Sequence, residues 1–330
     1  MCLLRFGGPA AALALTLSAG QAFAYDAEQL ERCANIVEPD QRLACFDAAV
    51  PRPMQPEAAP VPPTAERSPI DERWAVGVEN TLFDILPHKP TYLLVSHHSD
   101  RMNSEPFSPT HPAPAEPIDL RSTEAAFQLS FKFRVIDLQD QIGASLWTGY
   151  TQVSEWQVYN PRVSRPFRET NYEPELMLAF HPDYKLLGMR WRLLNFGLVH
   201  QSNGQSDPLS RSWNRLYTQI GLERGGWELL VRPWWRVKEH PESDDNPDIT
   251  DYMGHGDIVA SYHFGRQTIS GLGRYNWRTG KGAFQGSWSF PLWRRVRGYA
   301  QIFTGYGETL IDYNWRQTTY GFGIALTDWQ

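Results

Sequence analysis

Cysteine is nearly absent from this chain: three in 330 residues, at positions 2, 33 and 45. A disulfide-dense secreted scaffold is therefore excluded, as is a cysteine-based zinc cage anywhere after position 45. Long apolar runs are missing too. No segment beyond the N-terminus approaches ~18 consecutive apolar residues, so no transmembrane helix is expected. Nor does a basic stripe dominate any segment, and the net charge is −6. Nucleic acid is thus not an expected partner.

What the chain has instead is aromatics: 13 Trp, 14 Tyr and 16 Phe, a heavy load for a cytosolic domain. It also opens like an exported protein. Arg5 precedes an apolar run over 10–19, and Ala22-Phe23-Ala24 fits a small-x-small cleavage site before Tyr25. Residues 1–24 are expected to be a signal peptide. Cys2 lies inside it without a lipobox upstream and is not read as a lipid-anchor site. An exported, aromatic-rich chain without a membrane helix is either a soluble secreted protein or an outer-membrane barrel. Barrel strands need only alternating segments of ~10 residues.

Residues 25–50 read as a small helical, periplasmic segment, with helices over 26–35 and 40–48 joined at Glu38-Pro39. Cys33 and Cys45 are expected to pair in an oxidising periplasm, free thiols being the alternative. Residues 51–69 hold seven of the 25 prolines, which marks a linker over 51–74. The remaining domain, 75–330, has another rhythm. In 127–135, Phe127, Leu129, Phe131, Phe133 and Val135 share one face, with Gln128, Ser130, Lys132 and Arg134 on the other. In 227–237, Trp227, Leu229, Val231, Trp235 and Val237 oppose Arg232 and Arg236, and Pro233 demands a bulge or rim position. Segments 257–264, 283–290 and 318–326 repeat the alternation. Weaker candidates lie at 92–99, 144–153, 174–181, 189–200, 212–222, 267–277 and 297–305. Twelve strands result, an even number as a single-chain bacterial barrel requires. Long charged side chains on the polar faces suit a filled lumen, and Trp and Tyr near strand ends suit interface girdles. The expected fold is a twelve-stranded antiparallel transmembrane β-barrel, with a soluble β-sandwich as the rival.

The chemistry concentrates in His200-Gln-Ser-Asn-Gly-Gln-Ser-Asp-Pro-Leu-Ser-Arg-Ser-Trp-Asn-Arg215. Side chains alternate along a strand, so His200 and Ser202 point the same way, roughly 6–7 Å apart at Cβ. They share parity with Leu194, Phe196 and Leu198, the apolar face. In a soluble protein that face is a closed core; in a barrel it meets lipid. A serine needs a base to take its proton and usually a third group to fix the base's tautomer. Ser206, Ser210 and Ser212 compete with Ser202, but only Ser202 combines proximity with the shared face. Asp207 tempts as the third member, yet Asp-Pro after Asn-Gly reads as turn chemistry. Asn214 lies on the apolar face of the next strand, with Leu216, Ile220 and Leu222. Its amide can accept the imidazole N–H without adding a charge in lipid. The 203–210 loop and the acidic run 242–248 offer oxygen ligands suited to calcium without EF-hand spacing, and a solvated loop explains both equally.

The segment 200–215 closely resembles the signature of outer-membrane phospholipase A. So do Pro166-Phe-Arg-Glu-Thr-Asn-Tyr-Glu-Pro174, Asp244-Asp-Asn-Pro-Asp-Ile-Thr250, Tyr275-Asn-Trp277 and Gly305-Tyr-Gly-Glu-Thr-Leu-Ile-Asp-Tyr-Asn314. The resemblance runs from about residue 75 to the end. It implies a twelve-stranded barrel in the Gram-negative outer membrane that hydrolyses phospholipid and lysophospholipid acyl esters. It implies a Ser202–His200–Asn214 triad and a calcium-dependent homodimer. Ser210 and the Gln205 carbonyl would bind calcium together with the carbonyl of Ser164 from the other subunit. Asp207 and Asp245 match a second calcium site associated with the monomer, and Gln152 matches an interface residue. The alternatives are a barrel that has lost catalysis and serves as a channel or structural element, and an outer-membrane acyltransferase. Two features lie outside the family pattern: the cysteine-bearing extension, and the ending Trp329-Gln330 in place of a terminal aromatic.

Overall fold

The structure is a computed structural model, and it describes residues 27–49, 68–77, 82–163 and 166–327. The expected signal sequence, the prolines at 51–63, Ser164, Trp329 and Gln330 lie outside the described residues. Two compact units are present, Met1–Ala65 and Glu66–Gln330.

In the first unit, α1 (Ala27–Ala34) and α2 (Pro39–Ala49) follow the expected helices closely. Cys33 and Cys45 form the expected disulfide, with their Cα atoms 5.4 Å apart. Their separation of 12 residues lets one bridge staple two short helices that could not stand alone.

The second unit begins earlier than the sequence suggests. Residues read as the end of a linker form α3 (Pro69–Arg73), within this unit. Pro69 opens the helix rather than extending a coil. Ser68 caps it, its hydroxyl accepting from the Asp71 N–H at 3.0 Å. Ile70 and Trp74 are buried, which is why this segment folds with the barrel.

Twelve long strands follow: β1 (Thr91–Ser99), β2 (Thr123–Leu138), β3 (Ala144–Trp156), β4 (Phe167–Phe180), β5 (Met189–Ser202) and β6 (Ser212–Arg224). Then come β7 (Trp227–Val237), β8 (Gly256–Phe264), β9 (Gln267–Asn276), β10 (Lys281–Trp293), β11 (Val296–Tyr306) and β12 (Arg316–Thr327). Each pairs antiparallel with its sequence neighbours, and β12 pairs with β1, so the sheet closes. Two-residue Leu86–Pro87 and three-residue Tyr184–Leu186 add short pairings to β2 and β5. Closure leaves no strand edge unpaired, which a sheet in hydrocarbon requires.

The alternation reads out inside-out. Leu129, Phe196, Leu198, Leu216, Trp235, Ile258, Phe284, Trp288 and Phe322 are exposed on the outer face. Ser130, Lys132, Glu175, Arg215, Glu228 and Asp257 are buried inside. A soluble sandwich would reverse this, so the rival fold is excluded. Several interior charges are paired, as burial demands. Arg232 meets Asp257 at 2.6 Å, and Glu175 takes the Tyr217 hydroxyl at 2.7 Å and Lys89 at 3.1 Å. Gly197 makes room for Tyr217 opposite it: a Cβ there would lie 2.1 Å from the ring.

One end of the barrel has long connections, at 100–122, 157–166, 203–211, 238–255 and 307–315; the other has mostly tight turns, as at 225–226, 265–266 and 294–295. Helix α3 sits at the short-turn end and touches three consecutive strands. Ser68 donates to Glu223 of β6 at 2.6 Å, Arg73 forms a bidentate pair with Glu228 of β7, and Asp71 pairs with Arg192 of β5. Trp74 packs edge-on to Trp147 at 5.4 Å, with the Lys132 ammonium 3.5 Å from its ring centroid.

Candidate active site

Two of the three strands that α3 clamps at one end, β5 and β6, carry the candidate triad at the other. His200 lies directly across the β5–β6 ladder from Asn214, and Ser202 is opposite Ser212. The His200 Nδ1 to Asn214 Oδ1 distance is 2.9 Å. Because an amide oxygen only accepts, Nδ1 carries the proton, and Nε2 is left with the lone pair a base needs. Phe196 and Leu198 at 47% exposed, and Leu216 at 51%, flank the pair on the outer face. Among the described residues Ser202 makes no hydrogen bond to His200. Such contacts often tighten only when substrate is bound.

Glu239, in the 238–255 loop, was not singled out by sequence reading. Its Oε1 accepts from Asn214 Nδ2 at 3.2 Å. That contact holds the amide with its oxygen toward His200. Burial, and then the charge of neighbouring Asp244, raise the Glu239 carboxyl above its ordinary value; Arg236 and the Asn214 N–H oppose this. As pH falls, Glu239 therefore protonates earlier than an ordinary carboxylate and offers Asn214 a weaker acceptor. Glu239→Ala is expected to lower kcat about tenfold with KM little changed, the value of one charge-assisted hydrogen bond. Glu239→Gln should retain most activity and flatten the upper part of the acid limb. Steady-state pH profiles of the three proteins check this, and an unchanged limb in Glu239→Gln would exclude the role.

The 203–211 loop is built around Asn203. Its Oδ1 accepts from the Arg211 N–H at 2.9 Å, and its Nδ2 donates to the Leu209 carbonyl at 2.8 Å. Buried Glu169 anchors the loop from inside, taking Gln205 Nε2 at 3.0 Å, and also receives the Ile311 N–H of the 307–315 connection at 3.1 Å. The Gln205 side chain is thus held inward. Ser210 donates its hydroxyl to Asp245 at 2.7 Å, which leaves the oxygen lone pairs of Ser210 free. Asn246 fixes the neighbouring loop by accepting from the Ser212 N–H at 3.0 Å. Asp207 is 78% exposed and meets His111 Nε2 at 3.1 Å, while Asp245 Oδ1 lies 4.0 Å from the same nitrogen. Ser210, Asp245 and Asp207 present hard oxygen donors of the kind calcium takes. Ser164 falls outside the described residues.

Gln152 sits on the outer face of β3, in register with Tyr172 of β4, which is in register with Ser202 of β5. Two interstrand spacings put Gln152 and Ser202 about 10 Å apart in one row. Tyr150 donates to the Gln152 oxygen at 3.1 Å, and Gln152 donates to Ser154 at 3.2 Å, so the amide is held within the outer face.

The sequence profile described as phospholipase A1 matches residues 71–326. The chain belongs to the phospholipase A1 family. Phospholipase A1 of Escherichia coli K12 is 44% identical over 250 residues, covering 74% of this chain and 82% of that protein. The Salmonella typhimurium phospholipase A1 is 43% identical over the same length and coverage. The solved E. coli outer membrane phospholipase A superposes with a TM-score of 0.67 at 39% identity, over 74% of this chain and 95% of that one. The outer membrane phospholipase of Salmonella typhi, solved as a dimer with bound calcium, gives 0.69 at 42% identity, over 75% and 94%. The family's matched region starts at residue 71, inside α3 and beyond the helical unit with its disulfide.

Proposed function

We propose that this protein is a calcium-dependent outer-membrane phospholipase that hydrolyses phospholipid and lysophospholipid acyl esters and is active as a dimer. The observation that carries the reading is the 2.9 Å His200–Asn214 contact on a lipid-facing surface, with Ser202 on the same face. The relatives' names and the calcium-bound Salmonella dimer support it.

Ser202 Oγ attacks the ester carbonyl carbon while His200 Nε2 takes its proton. Collapse of the tetrahedral intermediate releases the lysophospholipid alcohol, which receives that proton. Water then attacks the acyl carbonyl carbon while His200 takes its proton, and as the acyl–Ser202 bond breaks His200 returns that proton to Ser202 Oγ, releasing a fatty acid. Asn214 keeps the imidazole in the productive tautomer throughout. Its neutrality matters here, since a carboxylate on the lipid face would be costly. Calcium held by the Ser210 hydroxyl and by the carbonyls of Gln205 and of a second subunit's Ser164 would supply the positive charge that an oxyanion needs. Asp207 and Asp245 offer carboxylates to a second divalent ion. Gln152, in the row of Ser202, would pair with its symmetry mate and place the candidate catalytic face in the dimer interface. This arrangement restrains an enzyme embedded in its own substrate: a monomer lacks the calcium ligand that the second subunit supplies. The helical unit is assigned to the periplasm.

Hydrolysis in mixed micelles, measured with calcium or chelator across a range of protein concentrations, tests this. Chelation should cost at least ~100-fold, the value of lost oxyanion stabilisation. Specific activity should rise with protein concentration. Activity that ignores chelator, or a new acyl conjugate in place of free fatty acid, would reject the reading.

A further inference from the structure

The short-turn end of the barrel carries a group of cations that the lumen network does not use. The β8–β9 turn brings Arg266 and the β10–β11 turn brings Arg294 and Arg295, all three exposed. With Arg297, Pro291 and Leu326 they line a pocket of about 420 Å³ at the rim. Arg297 builds it. Its guanidinium donates to the Arg266 carbonyl at 2.9 Å and to Ser289 Oγ at 3.0 Å, so the two turns are tied side by side. Among the described residues, no carboxylate lines this pocket or forms an ion pair with Arg266, Arg294 or Arg295. Elsewhere at this end arginines do meet acids, as Arg190 meets Asp183 at 2.8 Å and Arg134 meets Asp137 at 2.7 Å. Trp293 and Val296 pair directly, which makes Arg294-Arg295 a two-residue hairpin turn. Arg294 takes φ 51°, a left-handed conformation that glycine or asparagine adopts more readily. The turn thus holds an arginine where the backbone favours a smaller residue.

The pocket lies where the lipid-facing surface ends. Leu292, Trp293 and Leu326 are exposed beside it, and the Arg294 guanidinium stands 4.9 Å from the Trp293 ring centroid. Tryptophan at the end of an outward apolar row marks the boundary between hydrocarbon and headgroups. A single-chain bacterial barrel keeps its short turns on the periplasmic side. We propose that this pocket binds the phosphate of an anionic glycerophospholipid in the periplasmic leaflet, whose acyl chains lie along Leu292, Trp293 and Leu326. Guanidinium forks match phosphate oxygens in pairs, and three unpaired ones around one pocket favour a headgroup with net negative charge. A zwitterionic headgroup brings its own ammonium into the same cluster and loses much of that attraction. The apolar rim favours a lipid over free phosphate, because only a lipid has chains to cover it. This lipid is not the substrate. Strands β7, β8 and β9 separate β6 from β10, and Ser202 stands at the long-loop end, so the bound ester is a barrel height from the candidate triad. Its effect is to tie two hairpins to one leaflet, whatever reaction the opposite end performs.

The test compares ether-linked phosphatidylglycerol with ether-linked phosphatidylcholine of the same chains, counted on the full-length protein in detergent by native mass spectrometry. Ether lipids have no acyl ester, so hydrolysis cannot alter the result. One phosphatidylglycerol per chain is expected to bind at least about tenfold more tightly than phosphatidylcholine, each arginine near an anionic lipid being worth roughly fivefold. Combining Arg266→Ser, Arg294→Ser and Arg295→Ser should bring the two lipids to within about twofold of each other. Arg190→Ser, at the same end but on β5, should leave the preference intact. Heat-modifiable migration shows that each variant has folded. Equal binding of both lipids by the wild type would overturn the proposal, the arginines then being met by salt ions or by the chain's own Asp328. A preference that survives the triple replacement, or that Arg190→Ser abolishes as well, would also overturn it, since the attraction would then belong to the barrel end as a whole.

Discussion

Replacing Ser202 with alanine is expected to lower ester hydrolysis by about 10⁴-fold or more while the barrel still folds. The expected size follows from the loss of the nucleophile, since no other hydroxyl on this face stands two residues from His200. Ser212, directly across the ladder, belongs to a different arrangement: its hydroxyl lies 3.4 Å from Asp245. Ser202 is half-buried at the loop-side end of β5, and its hydroxyl fills no packed interior. Stability should therefore change little, and heat-modifiable migration should match the wild type. Asn214→Ala should be milder, because a histidine freed from its partner still samples the productive tautomer. The measurement is fatty-acid release from micellar phospholipid under saturating calcium. Undiminished release from Ser202→Ala would remove this residue from the mechanism and reopen the choice among Ser206, Ser210 and Ser212.

Arg73→Ala is expected to cost stability rather than chemistry. Arg73 and Glu228 are 5% and 2% exposed at their side chains, and they meet through two parallel hydrogen bonds, one of 2.8 Å. Removing one partner leaves a carboxylate buried in the lumen without its fork of donors, a change worth about 3–5 kcal/mol. Lys132 stands nearby over the Trp74 ring, so the charge balance at this end of the lumen would shift as well. Unfolding from bilayers in guanidinium would show the loss as a lower midpoint. A combined Arg73→Met and Glu228→Leu change, which removes both charges, should recover most of it. If Arg73→Ala proved neutral, α3 would not be a structural part of the barrel. Because α3 holds β5, β6 and β7, the three strands behind His200, Ser202, Asn214 and Glu239, a several-fold drop in kcat is expected to accompany the weaker fold without any change in the candidate triad.

The sequence carried the barrel because period two is local. In β2, every second residue from Phe127 to Val135 looks outward, and the intervening Ser130, Lys132 and Arg134 are buried. The placing of the three candidate triad residues on one face was legible for the same reason. His200 and Ser202 share parity on one strand, and Asn214 follows at the start of the next, so a hairpin joins them directly. Strand ends were less legible: β2 runs from 123 to 138 where alternation marked only 127–135, since pairing to long neighbours continues the ladder past the apolar pattern. Pro69 was read as a linker proline because composition weighed seven prolines together, whereas a serine cap and two apolar residues made it the first residue of a helix.

Local pattern thus determined the strands, their lipid-facing side, the disulfide between two helices and the three residues of the candidate triad. Tertiary structure alone decided which distant groups surround them. Glu239 reaches Asn214 across 25 residues, His111 reaches Asp207 across 96, and Arg73 reaches Glu228 across 155. Side-chain parity is a property of neighbouring residues, so one strand's sequence suffices to read it. Contacts between loops and across a lumen depend on how twelve strands close, and no short stretch of sequence encodes that distance.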